Sequence, residues 1–497
     1  MVEAARLHID LARVVGTRAP LLFGHFLEHF HRQIYGGIYD PGSPLADAQG
    51  FRTDVIEALR RLRPAVIRWP GGCFVSAYHW RGGVGPERMP YFDKAWRVEE
   101  PNTFGTDEFV AFCRAVGTEP YLCTNAGTGT PEEMSDWVEY CNVATEGRWA
   151  RLRWANGYSE PHRVRYWSIG NENYGSWEIG AKDADEWSRY VTEAAKMMKR
   201  VDDTICLSAA ATADRAWSMK LLEASGRYLD LIALHDYPVY GDTPYLTCMA
   251  HMGDAEDKIV AMEHMLGLLG LSDRVHITFD EWNPRHWHHP GHADVSARAT
   301  SEWARNDDNA TYTMADALLY AGFLNTALRH CRSVVMTNLS PVVNTRGAIF
   351  VHPEGIVLRS TYHVCDLYAN HTYGDVLDAF VASPSFGAPR IDGKERSVAY
   401  VDASVTVDRP SRRLAIAITN LHPDEEIECQ VWLPGIDLPG SGSLRMVNGP
   451  TTGSFNDVDR PAEVSVVTAT DSFRAGGERC VLRLAAHSVN VLTLDLG

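Results

Sequence analysis

From about residue 20 the chain alternates between short apolar runs and longer amphipathic stretches. The runs are LLFGHFLEH, PAVIRWPGG, EPYLCTNAG, VRYWSIGNEN, TICLSAAA, LDLIALHDY, VHITFDEWN and SVVMTNLSP. Each is mostly apolar, β-branched or aromatic and most end in Gly, Asn or Pro, which is how a buried strand reads. Between them lie stretches of helical pattern such as TDVIEALRRLR, TDEFVAFCRAVG and NATYTMADALLYAGFLNTALRH, the first two opening on Thr-Asp as a helix start. Eight strand–helix units in succession predict an α/β architecture, a (β/α)8 TIM barrel with its helices outside.

After about residue 375 the texture changes. RSVAYVDASVTVD, RRLAIAITNLH, EIECQVWLPG and CVLRLAAHSVNVLTLDL are closely spaced strand patterns with Gly, Pro and Asp turns and no long helix. They predict an all-β, jelly-roll-like sandwich. The expected domains are a catalytic barrel over 17–375 and a sandwich over 376–497, completed by the strand-like N-terminal segment 1–16.

The net charge of −17 argues against nucleic acid as a partner, because phosphate binding needs a basic face. Fourteen Trp and twenty Tyr offer faces suited to sugar rings, although most such rings serve packing. The N-terminal MVEAARLHIDLARVVGT lacks the basic start and apolar run of a signal peptide, and no stretch reaches the length of a membrane span. Ten cysteines without a Cys-x-x-Cys pair argue against metal fingers and read as reduced thiols. A cytoplasmic protein with no membrane partner is expected.

Chemistry in such a barrel sits at the C-terminal ends of the strands. Six of the eight runs end in a group that can titrate or hydrogen-bond: Glu28, Arg68, Asn125, Asn171 with Glu172, His235 with Tyr237, and Asp280 with Glu281. Any one of these is readily a cap or an ion pair; their shared position points to a site. Glu172 and Glu281, on the fourth and seventh strands, would face each other across the barrel mouth. Two such carboxyls divide the labour of glycoside hydrolysis, one protonating the leaving oxygen and the other attacking the anomeric carbon or activating water. Their environments must then differ, and Arg68 and Tyr237 are suitable partners for the ionised member.

These residues, in this order, resemble glycoside hydrolase family 51, the family of retaining α-L-arabinofuranosidases. The stretches that carry the resemblance are GHFLEHFHRQIYGGIYDPGSP, IRWPGGCFVSAYHWRGGVGP, EPNTFGTDEF, WSIGNENYGSWEIG, LHDY and FDEWN. The resemblance implies that Glu172 is the acid/base, Glu281 the nucleophile, and that Arg68 and Tyr237 support Glu281. It implies that Asn171 contacts the sugar 2-hydroxyl, that Glu28 binds a sugar hydroxyl, and that Trp96 lines the pocket; His235 falls in the same substrate-binding set. It also implies no metal or organic cofactor, an intracellular location and a homo-oligomer, often a hexamer. The expected activity is release of terminal arabinofuranosyl residues from plant-derived oligosaccharides.

The chain departs from the family pattern where Cys73 follows PGG in place of Asn, where Pro341 in NLSPVVN replaces Gln, and where Pro284 and Arg285 replace an aromatic residue after DEWN. The catalytic pair is kept while the sugar wall is altered, so a galactofuranosidase, xylosidase or glucanase is the alternative, and a non-catalytic carbohydrate-binding protein a further one. Two carboxylates kept side by side favour the enzyme. His286, His288, His289 and His292 in RHWHHPGH fit no standard metal spacing and read as a loop on the leaving-group side. Cys73 reads as a pocket-shaping residue and not as a nucleophile, and GVGPERMPYF lacks the Lys and Ser/Thr of a phosphate loop.

Overall fold

The computed structural model describes residues 3–238, 244–284, 307–390, 393–439, 442–469 and 473–496. Eight parallel strands form the barrel: Phe23–Phe26, Val66–Trp69, Glu119–Thr124, Tyr166–Ile169, Cys206–Ala209, Leu231–Asp236, His276–Trp282 and Val334–Leu339. One strand lies inside each of the eight apolar runs. The eighth pairs with the first through Thr337 and Phe23, and the barrel closes between the fifth and sixth by a bridge from Ala210 to Ala233. Helices cover both ends of most strands' outer faces, so Val66–Trp69 and Tyr166–Ile169 are buried throughout and show no in–out alternation. Val66, Tyr121, Tyr166, Leu231 and Met336 make a small inner cluster separate from the main core. Most of them begin their strands, so they plug the lower end and leave the upper end to polar side chains.

The helices follow the pattern read from the sequence with one local difference. Thr53–Leu62 and Thr106–Val116 are helical, but the N-caps are Arg52 and Gly105, so each Thr-Asp pair lies inside the first turn. Asp54 and Asp107 are first-turn acids, favoured there by the helix dipole. The Gly105 amide instead donates to the Glu108 carboxylate at 2.8 Å. Helix Met314–Arg329 is buried nearly all round because it lies between the barrel and the β-rich part of the chain. Arg329 and Asn325 on it both bond Asp402, each at 2.7 Å.

The second unit is one ten-stranded hydrogen-bonded sheet folded over its own apolar core. Ala5–Thr17 lies within it, antiparallel to Asp375–Ala382 on one side and parallel to Ile427–Trp432 on the other. Among the described residues, no helix is long and apolar enough to cross a membrane.

Candidate active site

The chain turns abruptly after the fourth barrel strand. Gly170 has φ +69, and a Cβ there would lie 2.1 Å from Asn173 Oδ1 and 2.5 Å from the Trp187 ring, so only glycine fits. Two residues on, Glu172 takes φ +44, a left-handed conformation that costs a non-glycine residue about 1–2 kcal/mol. That strain aims its carboxylate into the barrel mouth, where Oε2 accepts from Trp177 Nε1 at 2.8 Å and Oε1 faces His235 Nδ1 at 2.8 Å.

On the seventh strand, the pairing register slips across Phe279 to Glu281 against the sixth strand, and across Phe279 to Trp282 against the eighth. In a regular strand, neighbours point to opposite faces. Here the irregularity lets Asp280 and Glu281 both reach Arg68. Glu281 Oε1 accepts from Arg68 Nη1 at 2.6 Å and Oε2 from the Tyr237 hydroxyl at 2.8 Å. Tyr237 also exchanges a hydrogen bond of 2.6 Å with Ser340, the residue before Pro341. Asp280 lies below, 3.1 Å from Arg68 Nε and 3.0 Å from His235 Nε2, and accepts from Tyr121 at 3.1 Å. Carboxylate oxygens of Glu172 and Glu281 and a nitrogen of His235 lie within 4.8 Å of one another.

The electrostatics follow from burial and partners. Burial works to raise Asp280, but Arg68, His235 and Tyr121 overcome it and hold its carboxyl below the usual range. Burial raises Glu281, with Glu172 and Asp280 adding to the rise and His235 and Arg68 opposing it. Burial lowers His235, yet Glu281, Asp280 and Glu172 outweigh it and lift the imidazole to about 10, making it a standing cation. Arg68 and His235 thus face three carboxyls, Glu172, Asp280 and Glu281. One proton must be shared among those three for the cluster to be neutral.

Glu28 ends the first strand, where Phe74 N–H and Trp96 Nε1 each donate to its Oε1 at 3.0 Å. Burial, then the charge of Glu281, pushes its carboxyl well above the ordinary value. A Cβ on Gly72 would come within 2.6 Å of this carboxylate, which explains the glycines of PGG. Trp96 is only 3% exposed and packs at a tilt against Phe30, the ring centroids 4.0 Å apart. Asn171 is fixed at both ends of its amide, Oδ1 accepting from Arg68 at 2.9 Å and Nδ2 donating to Glu178 at 3.3 Å. Cys73 lies half-buried beside Glu178 and Glu172, and burial pushes its thiol up. The structure therefore brings Glu28, Arg68, Cys73, Trp96, Asn171, Glu172, His235, Tyr237 and Glu281 to one mouth.

Asn125 belongs to the turn and not to the chemistry: its Oδ1 accepts from Gly127, Thr128 and Gly129, each at 3.0 Å. Arg285 and His286, His288, His289 and His292 lie outside the described residues. Three residues escaped the sequence reading: Glu178, Trp177 and Ser340. A signal for Glu178 was present, a carboxylate inside the apolar SWEIG, but its buried partners are brought to it only by the fold. A thiol and two carboxyls crowd elsewhere in the mouth too, with Cys73, Glu172 and Glu178 inside 4.8 Å. In the other group both His235 nitrogens are engaged, Nδ1 with Glu172 and Nε2 with Asp280.

Residues 58–257 match the profile of an α-L-arabinofuranosidase 1 domain, and 280–488 that of an α-L-arabinofuranosidase C-terminal domain. An intracellular exo-α-(1→5)-L-arabinofuranosidase of Halalkalibacterium halodurans is 34% identical over 86% of this chain and 87% of its own. The chain belongs to glycoside hydrolase family 51. A probable α-L-arabinofuranosidase C of Aspergillus clavatus is 32% identical over 94% of each chain. Among solved structures, the arabinose complex of the Thermotoga maritima α-L-arabinofuranosidase superposes with a TM-score of 0.89 at 31% identity, over 99% of this chain and 100% of that one. The Thermotoga petrophila family 51 enzyme does so with 0.88 at 32%, over 98% and 99%. The barrel-plus-sandwich architecture is that of the family.

Proposed function

We propose that the protein is a retaining α-L-arabinofuranosidase that removes terminal furanosyl residues by double displacement. The observation that carries this is the approach of the Glu172 and Glu281 oxygens to within 4.8 Å, with unlike partners on the two carboxyls. Carboxyls roughly 5–5.5 Å apart belong to retaining enzymes, whereas inverting ones leave room for water at ~6.5–9.5 Å. Arg68 and Tyr237 hold Glu281 as a carboxylate aimed at the anomeric carbon. Glu172 carries the shared proton.

In the first step, Glu281 attacks the anomeric carbon, the glycosidic bond breaks, and the Glu172 proton passes to the leaving oxygen. In the second, Glu172 takes a proton from water, water oxygen attacks the same carbon, and the bond to Glu281 breaks. Each carboxyl ends as it began. Asn171, locked by Arg68 and Glu178, presents its amide to the 2-hydroxyl, and Glu28 with Trp96 closes the sugar wall. A homo-oligomer in the cytoplasm belongs to the same proposal, ten free thiols suiting a reducing compartment.

The test is proton NMR of the first product from an aryl arabinofuranoside, in which retained configuration is expected. Glu281→Ala should abolish turnover on every substrate. Glu172→Ala should be damaged most with poor leaving groups and partly rescued by azide, which attacks the glycosyl-enzyme without base help. An inverted first product, or two mutants alike across the leaving-group series, would overturn the roles. Cys73→Asn, assayed on arabino- and galactofuranosides, xylosides and glucosides, reads whether the altered wall shifts sugar preference.

A further inference from the structure

Glu178 is a carboxyl that the two-glutamate mechanism does not use. It is 5% exposed, on the loop after the fourth strand, and its Oε2 accepts from Asn171 Nδ2. The Ser76 hydroxyl and Cys73 thiol lie against it and favour its charged form. It crowds against Cys73 and Glu172, with one oxygen or sulfur of each inside 4.8 Å. A buried carboxyl placed this close to another is costly, and a glutamine would make the same hydrogen bond to Asn171 through its carbonyl oxygen. The carboxyl therefore does something an amide does not.

We propose that Glu178 is a positioning residue for the acid/base step: from behind Asn171 and Cys73 it acts through Glu172, holding the proton there until the leaving oxygen takes it. The proposal rests on the furanosidase reading above. Its physical basis is mutual repulsion. Burial, and then the charge of Glu172, carries Glu178 up to about 7. What Glu172 does to Glu178, Glu178 does to Glu172, because two coupled carboxyls lose their protons as a pair. Other groups press on the same space from every side of the mouth. Glu28 comes from the first strand, Arg68 and Cys73 from the second, His235 from the sixth, Asp280 and Glu281 from the seventh, and Tyr174 from the same loop as Glu178. Arg68 is engaged by Asp280, Glu281 and Asn171, and His235 is shared by Glu172 and Asp280. Glu178 also adds to the rise of Glu28, but of its carboxyl neighbours Glu172 is the one with a job that needs a proton.

The experiment compares pH profiles of kcat/KM for the wild type, Glu178→Gln and Glu178→Asp on an arabinofuranoside with a poor leaving group. The alkaline limb reports the proton on the general acid of the free enzyme. Removing the neighbouring charge in Glu178→Gln is expected to move that limb to lower pH by about one unit or more, while Glu178→Asp keeps it near the wild-type position. With an activated aryl leaving group, which needs little protonation, the shift should shrink. A role confined to holding Asn171 would lower kcat equally at every pH and leave the limb in place, and that result overturns the proposal alone. Should Glu178→Gln fail to fold by circular dichroism, carbon NMR of glutamate carboxyls in the wild type and in Glu172→Gln reads the same coupling. A resonance titrating near neutrality must then move to lower pH, and its staying put overturns the idea. Inactivity of the wild type on every furanoside removes the function and this proposal together.

Discussion

His25 shows how a single side chain can govern stability without touching the chemistry. It is on the first barrel strand, 3% exposed, with Leu62, Leu324 and Cys365 of the helix layer around the same small cavity, so it faces away from the mouth. Among the described residues neither ring nitrogen meets a hydrogen-bond partner, and burial drives its pKa down to about 3. In the unfolded chain it titrates near ~6.5. Between those values the unfolded state binds the extra proton, so the stability from keeping His25 neutral is present above the unfolded pKa and is lost as pH falls. The slope is about 1.4 kcal/mol per pH unit for such a group. Urea unfolding from neutral to mildly acidic pH should therefore show stability falling, and His25→Phe should flatten the slope by about one proton. Equal slopes in the two proteins would mean that the ring is already protonated or partnered in the fold. The facing of Glu172 and Glu281 was legible in the sequence because a charge at the end of an apolar run has few other uses. The roles of Glu178 and Ser340 were not, because Cys73 and Tyr237 are brought to them from other strand ends only by the fold.

At the scale of elements, the eight strands were legible because burial on both faces leaves unbroken apolar runs, and most runs end in a residue that breaks pairing. The register slip in the seventh strand, which lets Asp280 and Glu281 both reach Arg68, carries no such mark, since FDEW reads like an ordinary strand end. The helix starts were half legible, Thr-Asp marking the first turn but not the cap. The turn after the fourth strand is the element that sets the position of Glu172. Gly170→Ala forces a Cβ into Asn173 and Trp187 and imposes an alanine on φ +69. Strain of about 1–2 kcal/mol from the backbone alone, plus the clash, predicts a loss of at least ~2 kcal/mol in stability. Because the same turn sets Glu172 at φ +44, kcat should fall at least tenfold in whatever fraction stays folded. A Gly170→Ala enzyme with wild-type kcat and an unchanged urea midpoint would show that the turn relaxes freely.

At the scale of the whole molecule, the strand farthest in sequence from the β-rich part of the chain joins that part together. Ala5–Thr17 lies between Asp375–Ala382 and Ile427–Trp432, and in the sheet order no other strand connects these two. Its inward side chains Ala5, Leu7 and Ile9 are at most 1% exposed and belong to the core of that sheet. Removing residues up to Thr17 would take away the burial of Leu7 and Ile9, worth about 1.5–3 kcal/mol each, and leave two unpaired edges able to pair with other chains. The damage should not stop at the sandwich. Helix Met314–Arg329 is covered on one side by the barrel and on the other by strands of the sheet, with Arg329 and Asn325 tied to Asp402. That helix leads into the eighth barrel strand, which is followed directly by Ser340, the partner of Tyr237 at the nucleophile. The truncated protein is therefore expected to aggregate. Leu7→Asp, a milder insult to the same core, should lower the melting temperature and reduce kcat only in proportion to the unfolded fraction. Size-exclusion chromatography, limited proteolysis and turnover on the soluble fraction measure this. A truncated protein that stays monodisperse and keeps full turnover would show that the barrel needs no cover from the sheet.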